Sequence, residues 1–137
     1  MKPPITVVST AIWWGNTVLL GHRCGRYSND IWCLPGGKAD DPTENLETAA
    51  RREVREECGI VLDYLRPYNI WGEHVAEDGQ VFTCVYFEAS GIFSNRARVM
   101  EPEKIDQWRW FRLDELPERM FERERDLCYI QRHRYDC

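Results

Sequence analysis

The sequence predicts an α/β domain in which a central mixed β-sheet is covered on two faces by helices. Three observations predict it. Runs rich in β-branched and aromatic residues lie on both sides of one clearly helical stretch, Asn45 to Cys58. A second, mixed-charge helical segment closes the chain, from about Pro117 to His133. The chain has 137 residues, 43% of them hydrophobic, which suits one compact domain spanning 1–137 with a core of its own.

The elements follow in chain order. ITVVSTAIW, residues 5–13, and TVLLG, residues 17–21, flank the turn signal Gly15-Asn16 and predict a β-hairpin. A short apolar strand, Ile31 to Leu34, is stopped by Pro35 and two glycines, so a loop built from backbone should follow it. Leu46, Ala50 and Val54 then recur every four residues, and Gly59 is a natural helix stop. Asn45 is the expected N-cap, with Asp41, followed by Pro42 and Glu44, as its rival. IVLDYLRPYNIWGEHV and QVFTCVYFEASG read as strands joined in hairpin fashion across Glu77-Asp78-Gly79. A loop, IFSNRARVMEPEK, leads to the strand QWRWFRL, and the last helix should turn Met120, Leu127 and Ile130 inward.

Composition narrows the function. The net charge of −5 and the lack of a dense Lys/Arg run argue against a nucleic-acid polymer as partner. No stretch reaches the ~18–20 apolar residues needed to span a bilayer, so no membrane partner is expected. The opening MKPPITVVST lacks the pattern of a secretory signal, and a reducing cytoplasm is the expected compartment. The six cysteines are spread without CxxC or zinc-finger spacing and are expected to be free, mostly structural thiols. The three histidines are isolated from one another.

The informative stretch is RREVREECG, residues 51–59, which crowds Glu53, Glu56 and Glu57 into a turn and a half of helix. With Glu53 at zero on the helical wheel, Glu57 falls at about +40° and Glu56 at about −60°, while Leu46, Ala50 and Val54 lie between roughly +20° and +100°. The carboxylates therefore border the buried stripe. Half-buried, mutually repelling carboxylates are costly unless a cation neutralises them. An all-oxygen donor set suits Mg²⁺, with Mn²⁺ as a substitute, better than zinc. Arg52 precedes Glu56 by one turn, where an ion pair can hold that carboxylate in place. Glycine at 36 and 37 lets a phosphate or metal approach the main chain closely.

The stretch LPGGKADDPTENLETAARREVREECGI resembles the box of the Nudix hydrolase family. That box reads glycine, five residues, glutamate, seven residues, then Arg-Glu-apolar-x-Glu-Glu-x-Gly-apolar. Gly37, Glu44, Arg52, Glu53, Val54, Glu56, Glu57, Gly59 and Ile60 fill the specified places. One departure stands out: six residues, KADDPT, separate Gly37 from Glu44 where the family has five.

The resemblance implies an α/β/α sandwich and hydrolysis of a nucleoside diphosphate linked to another group. It implies Glu56 and Glu57 as metal ligands, the Gly37 carbonyl as an additional one, and Glu53 as ligand or general base. It also implies a further acid from a distant loop, for which EPEK offers Glu101 and Glu103, with Glu103 preferred because it lies closer to the strand WRWF. EPEKIDQWRWFRLDELP is similar to the C-terminal half of MutT-like nucleoside triphosphate pyrophosphohydrolases, which implies a (d)NTP cleaved to monophosphate and pyrophosphate. Nucleotide sugars, ADP-ribose and dinucleotides are the rival substrates, and a non-catalytic nucleotide-binding module is the rival from another class. Arg23, Gly36 and Gly37 are the expected substrate contacts. The expected partners are a small nucleotide and, at most, a second copy of the chain in a homodimer.

Overall fold

The computed structural model of the chain describes residues 2–25, 29–39, 41, 43–90 and 96–135, and for 69–71 and 131–135 the backbone only. Expectations that fall on Pro42, on residues 91–95 of the loop, on Cys137 and on the side chain of His133 lie outside the described residues.

Seven strands and two helices follow the order β1 (Ile5–Trp14), β2 (Thr17–Cys24), β3 (Asn29–Cys33), β4 (Gly36–Lys38), α1 (Leu46–Cys58), β5 (Arg66–Val75), β6 (Val81–Ser90), β7 (Ile105–Arg112) and α2 (Glu122–Tyr135). The strands form one mixed sheet in the order β3-β2-β1-β6-β5, with β4 added to β1 and β7 to β2. β1 runs parallel to β6 from Ile5↔Phe82 to Trp13↔Ser90, and the other pairings are antiparallel.

The hairpin expected at Gly15 exists, but only Trp13↔Val18 and Trp14↔Thr17 pair in it. Beyond that turn β1 turns to β4 and β6, while β2 pairs with β7 along most of its length. The glycine stretch after Pro35 is not wholly loop. Gly36–Lys38 is a short strand against Val7–Ser9, because a glycine at 36 can lie where a Cβ would meet the Val8 carbonyl oxygen at 2.2 Å.

Each helix covers one face of the sheet. Ala49, Ala50, Val54 and Cys58 of α1 pack with Val8, Ile12, Leu19 and Phe87 in one core. Leu127 and Cys128 of α2 pack with Ala11, Trp13, Val18, Leu20 and Phe111 in the other. The α/β/α layering is thus present. α1 is capped as its sequence implies: the Asn45 side chain accepts from the Thr48 N–H at 2.8 Å, and Gly59, at φ 75°, donates its N–H to the Arg55 carbonyl. Asp41, the rival cap, instead builds the turn before the helix by accepting from the Thr43 N–H and hydroxyl.

Two inward assignments are corrected. Leu46 is 38% exposed, since burial on α1 begins only at Ala49. Ile130 is 41% exposed: α2 starts at Glu122, not near Pro117, and its seat is set by Glu124, Leu127 and Cys128, from whose centre Ile130 is about 110° away. Met120 is buried as expected, ahead of the helix, where it bridges to Trp32. No helix among the described residues is long and apolar enough to cross a membrane.

Candidate active site at the acidic helix

α1 and β4 meet where the carboxylates leave the helix. Gly37 lies so close to α1 that a Cβ there would stand 2.2 Å from Glu53 Oε2, and the Gly36 N–H donates to Glu57 Oε2 at 3.3 Å. The PGG bend and the acidic turn therefore form one locus. The border position expected of the three acids holds for Glu53, which is buried, and Glu57, which is half-buried; Glu56, at about −60° on the wheel, is exposed instead.

Arg52 organises this locus. Its Nε and Nη2 donate to the two oxygens of Glu44, each at 3.0 Å, in a bidentate fork. Its Nη1 donates to Glu53 Oε1 at 2.9 Å and to Glu56 Oε2 at 3.3 Å, and Nη2 also reaches the Lys38 carbonyl. The expected Arg52–Glu56 pair is present, then, but as one arm of a four-way contact in which the Glu44 and Glu53 bonds are shorter. Glu44 gains a definite place here: despite the extra residue before it, it anchors the arginine that holds Glu53.

Arg52 engages one oxygen each of Glu53 and Glu56, whereas Glu57 has no ion-pair partner among the described residues. Burial, together with the negative charges of Glu53 and Glu101, pushes the Glu57 carboxyl up to about 8, against the opposing influence of Gly36 and Arg23. Burial likewise raises Glu53, with Glu56 and Glu101 adding to the shift and Arg52 opposing it. Among the described residues, no three His, Cys, Asp or Glu side chains already converge in ligating geometry. The donor chemistry nevertheless fits a hard cation: the acids are oxygen-only, mutually repelling and incompletely neutralised by arginine.

Of the two loop acids, Glu101 is the one whose charge reaches Glu53 and Glu57. Glu103, preferred from sequence, is exposed, and its main-chain carbonyl lies beside Gly25. In the turn that leads into β7, Lys104 and Ile105 both donate their N–H groups to the Glu101 carbonyl.

Arg23, near the end of β2, is half-buried, with its Nη1 at 4.0 Å from Cys33 Sγ and its Nε buried without a hydrogen-bond partner among the described residues. Its positive charge is felt by both Glu57 and Glu124.

The NUDIX domain model matches residues 3–130. The chain belongs to the NUDIX domain family. Among Nudix relatives, it is 33% identical over 107 residues to the oxidized purine nucleoside triphosphate hydrolase of Danio rerio, covering 73% of this chain and 61% of that protein. It is 30% identical over 120 residues to the NAD-capped RNA hydrolase NudC of Stutzerimonas stutzeri, covering 85% of this chain and 38% of that one. The chain thus spans less than two thirds of the length of these curated relatives. A solved MutT NUDIX hydrolase from Burkholderia pseudomallei superposes with a TM-score of 0.84 at 30% identity, covering 93% of this chain and 98% of that one.

One buried acid of this Nudix domain escaped the sequence reading. Glu124 on α2 accepts from the Leu34 N–H at 2.8 Å, and burial pushes its carboxyl up to about 7. It sits in a run of alternating charges, ERERD, where nothing local distinguishes it from its exposed neighbours. His22, isolated from the other histidines in sequence, has acidic partners in the fold. It is held between Asp106, 2.8 Å from Nδ1, and Asp30, 3.0 Å from Nε2, and both raise its pKa, Asp30 first.

Proposed function

We propose that the chain is a Mg²⁺-dependent hydrolase of nucleoside diphosphate-linked substrates, with a nucleoside triphosphate cleaved to monophosphate and pyrophosphate as the preferred reaction. The observation that carries this reading is the convergence of Glu53 and Glu57 on the Gly36-Gly37 strand, with Glu57 half-buried, raised in pKa and, among the described residues, without an ion-pair partner. An acidic site meets an acidic diphosphate only through an intervening cation. Mg²⁺ supplies charge neutralisation at the diphosphate and a water of lowered pKa.

The chain's own residues do the rest. Glu56, Glu57 and the Gly37 carbonyl hold the cation, with Glu101 rather than Glu103 as the acid from the loop. Glu53 accepts the proton of the attacking water; its raised pKa brings it closer to working pH than an ordinary glutamate. Arg52 keeps Glu53 and Glu56 oriented, and Arg23, half-buried near the end of β2, contacts phosphate or base. The names of the relatives, a triphosphate hydrolase among them, support the substrate class. The free thiols of Cys24, Cys33, Cys58, Cys84 and Cys128 support a reducing compartment.

A chromatographic screen of products over nucleoside triphosphates, nucleotide sugars, ADP-ribose and dinucleotides, with and without Mg²⁺, tests the proposal. Monophosphate plus pyrophosphate from a triphosphate, only with Mg²⁺, is the expected result. Products from another diphosphate class alone would replace the substrate, and no products from any would leave a binding module.

A further inference from the structure

We propose that His22 is a proton-dependent clasp that joins β3 to β7 across β2, shut when its ring is an imidazolium and released from Asp30 when the ring is neutral. The inference goes beyond the proposed reaction, since no nucleotide or metal takes part in it. Its basis is the meeting of two bulges. Opposite β3, Arg23 pairs with Ile31 and Cys24 with Asn29, so Asp30 is left out of the ladder. Opposite β7, His22 pairs with Gln107 and Arg23 with Ile105, so Asp106 is left out in the same way. The extra residue of a bulge has no partner on the facing strand. Each of these two aspartates instead reaches His22: Asp106 Oδ1 lies 2.8 Å from Nδ1, and Asp30 Oδ1 lies 3.0 Å from Nε2.

A carboxylate only accepts, so both contacts are hydrogen bonds only when both ring nitrogens carry a proton. The imidazolium meets that condition, and the two aspartates favour it, Asp30 first. A neutral ring keeps one N–H and turns a lone pair to the other carboxylate. The surroundings decide which contact is lost. Asp30 has a second cation in Arg119, whose Nε donates to the Asp30 carbonyl at 2.7 Å and stands 3.6 Å from Oδ2. Asp106 has no other ion-pair partner among the described residues. The β7 side is also fastened by main chain, where Cys24 donates its N–H to the Lys104 carbonyl. The proton of the neutral ring therefore stays on Nδ1, facing Asp106, and Asp30 turns to Arg119. Asp30 is the easier of the two to release. It holds φ 56°, a left-handed value that no other non-glycine residue adopts among those described, and its side chain is 67% exposed. The remaining charge beside the ring is Arg109 of β7, whose guanidinium lies 6.0 Å from the centre of the Trp32 ring, itself 5.0 Å from that of His22. Arg23, the next residue of β2, points its guanidinium to Cys33. Arg23 lies at both bulges with His22, so the clasp meets the expected substrate contact through the chain.

The test is a pH titration of the whole chain, followed by long-range proton–nitrogen NMR of the His22 ring, with Asp30→Asn, Asp106→Asn and His22→Gln for comparison. In the parent, His22 should lose its proton above pH 6.5, the ordinary value, and its neutral ring should carry the remaining proton on Nδ1. Either change of aspartate to asparagine should bring the midpoint down. Stability follows with a definite sign: the contribution of the imidazolium is complete below pH 6.5 and is lost as pH rises through the higher folded value. His22→Gln should therefore melt below the parent at about pH 5 and nearly with it at about pH 9. Other titrating groups act alike in both chains, so the difference between them isolates His22. A His22 midpoint at or below 6.5, a neutral ring protonated on Nε2, or a His22→Gln deficit equal at both pH values would overturn the proposal. So would a midpoint that neither asparagine variant moves.

Discussion

Glu57 concentrates the energetics of this site in one carboxylate. Its folded pKa, about 8, lies above the ordinary glutamate value of 4.5. The folded state therefore holds a proton that the unfolded state has released between those values, and stability falls as pH rises through that window. Glu53 shifts in the same direction, as does Glu124, to about 7. Thermal unfolding of the metal-free protein should accordingly show a midpoint that declines from pH 5 to pH 8. Added Mg²⁺ should raise the midpoint at pH 8 far more than at pH 5. Glu57→Gln should flatten the decline and stabilise the metal-free protein at pH 8 by about 1 kcal/mol, since removing an uncompensated buried charge is favourable. The same variant should lose Mg²⁺-dependent hydrolysis by two orders of magnitude or more, roughly the loss seen when one electrostatic contact to a transition state is deleted. A variant that is both stable and active would remove Glu57 from the metal site.

At the scale of elements, α1 was the most legible part of the chain. Asn45, the four-residue repeat of apolar positions and Gly59 are local signals, and a helix reads its caps and its buried stripe locally. α2 was less so: mixed charge hides a buried Glu124 and leaves Ile130 outside. The distinction is measurable. Leu127→Ala, on a side chain that is 1% exposed, should cost about 2–5 kcal/mol in denaturant unfolding, whereas Ile130→Ala should cost under about 0.5 kcal/mol. Comparable losses at both positions would mean that α2 seats differently on the sheet. The strands' composition was plain in the sequence. Their partners were not, since β-branched and aromatic runs look alike whether a strand joins its neighbour in sequence or, as β1 joins β6, one far along the chain.

For the whole molecule, α1 is seated on the sheet by an apolar core that includes Ala49, Ala50, Val54 and Cys58, unlike the metal-nucleated core of a miniprotein. Chelation with EDTA should abolish turnover while leaving the far-ultraviolet circular dichroism spectrum and cooperative unfolding intact at neutral pH. Unfolding on chelation would make the metal structural. The sequence by itself determined the helix, its three carboxylates, the glycine bend and the family they announce, because each depends on residue type at short, fixed spacing. Only the tertiary structure decided that β1 runs parallel to β6, that Arg52 is shared by Glu44, Glu53 and Glu56, and that the loop before β7 is tied to both α1 and β2. Those outcomes depend on how distant segments pack, and on the course of a loop whose ends are tied to α1 and β2, neither of which is written in any short window of the chain.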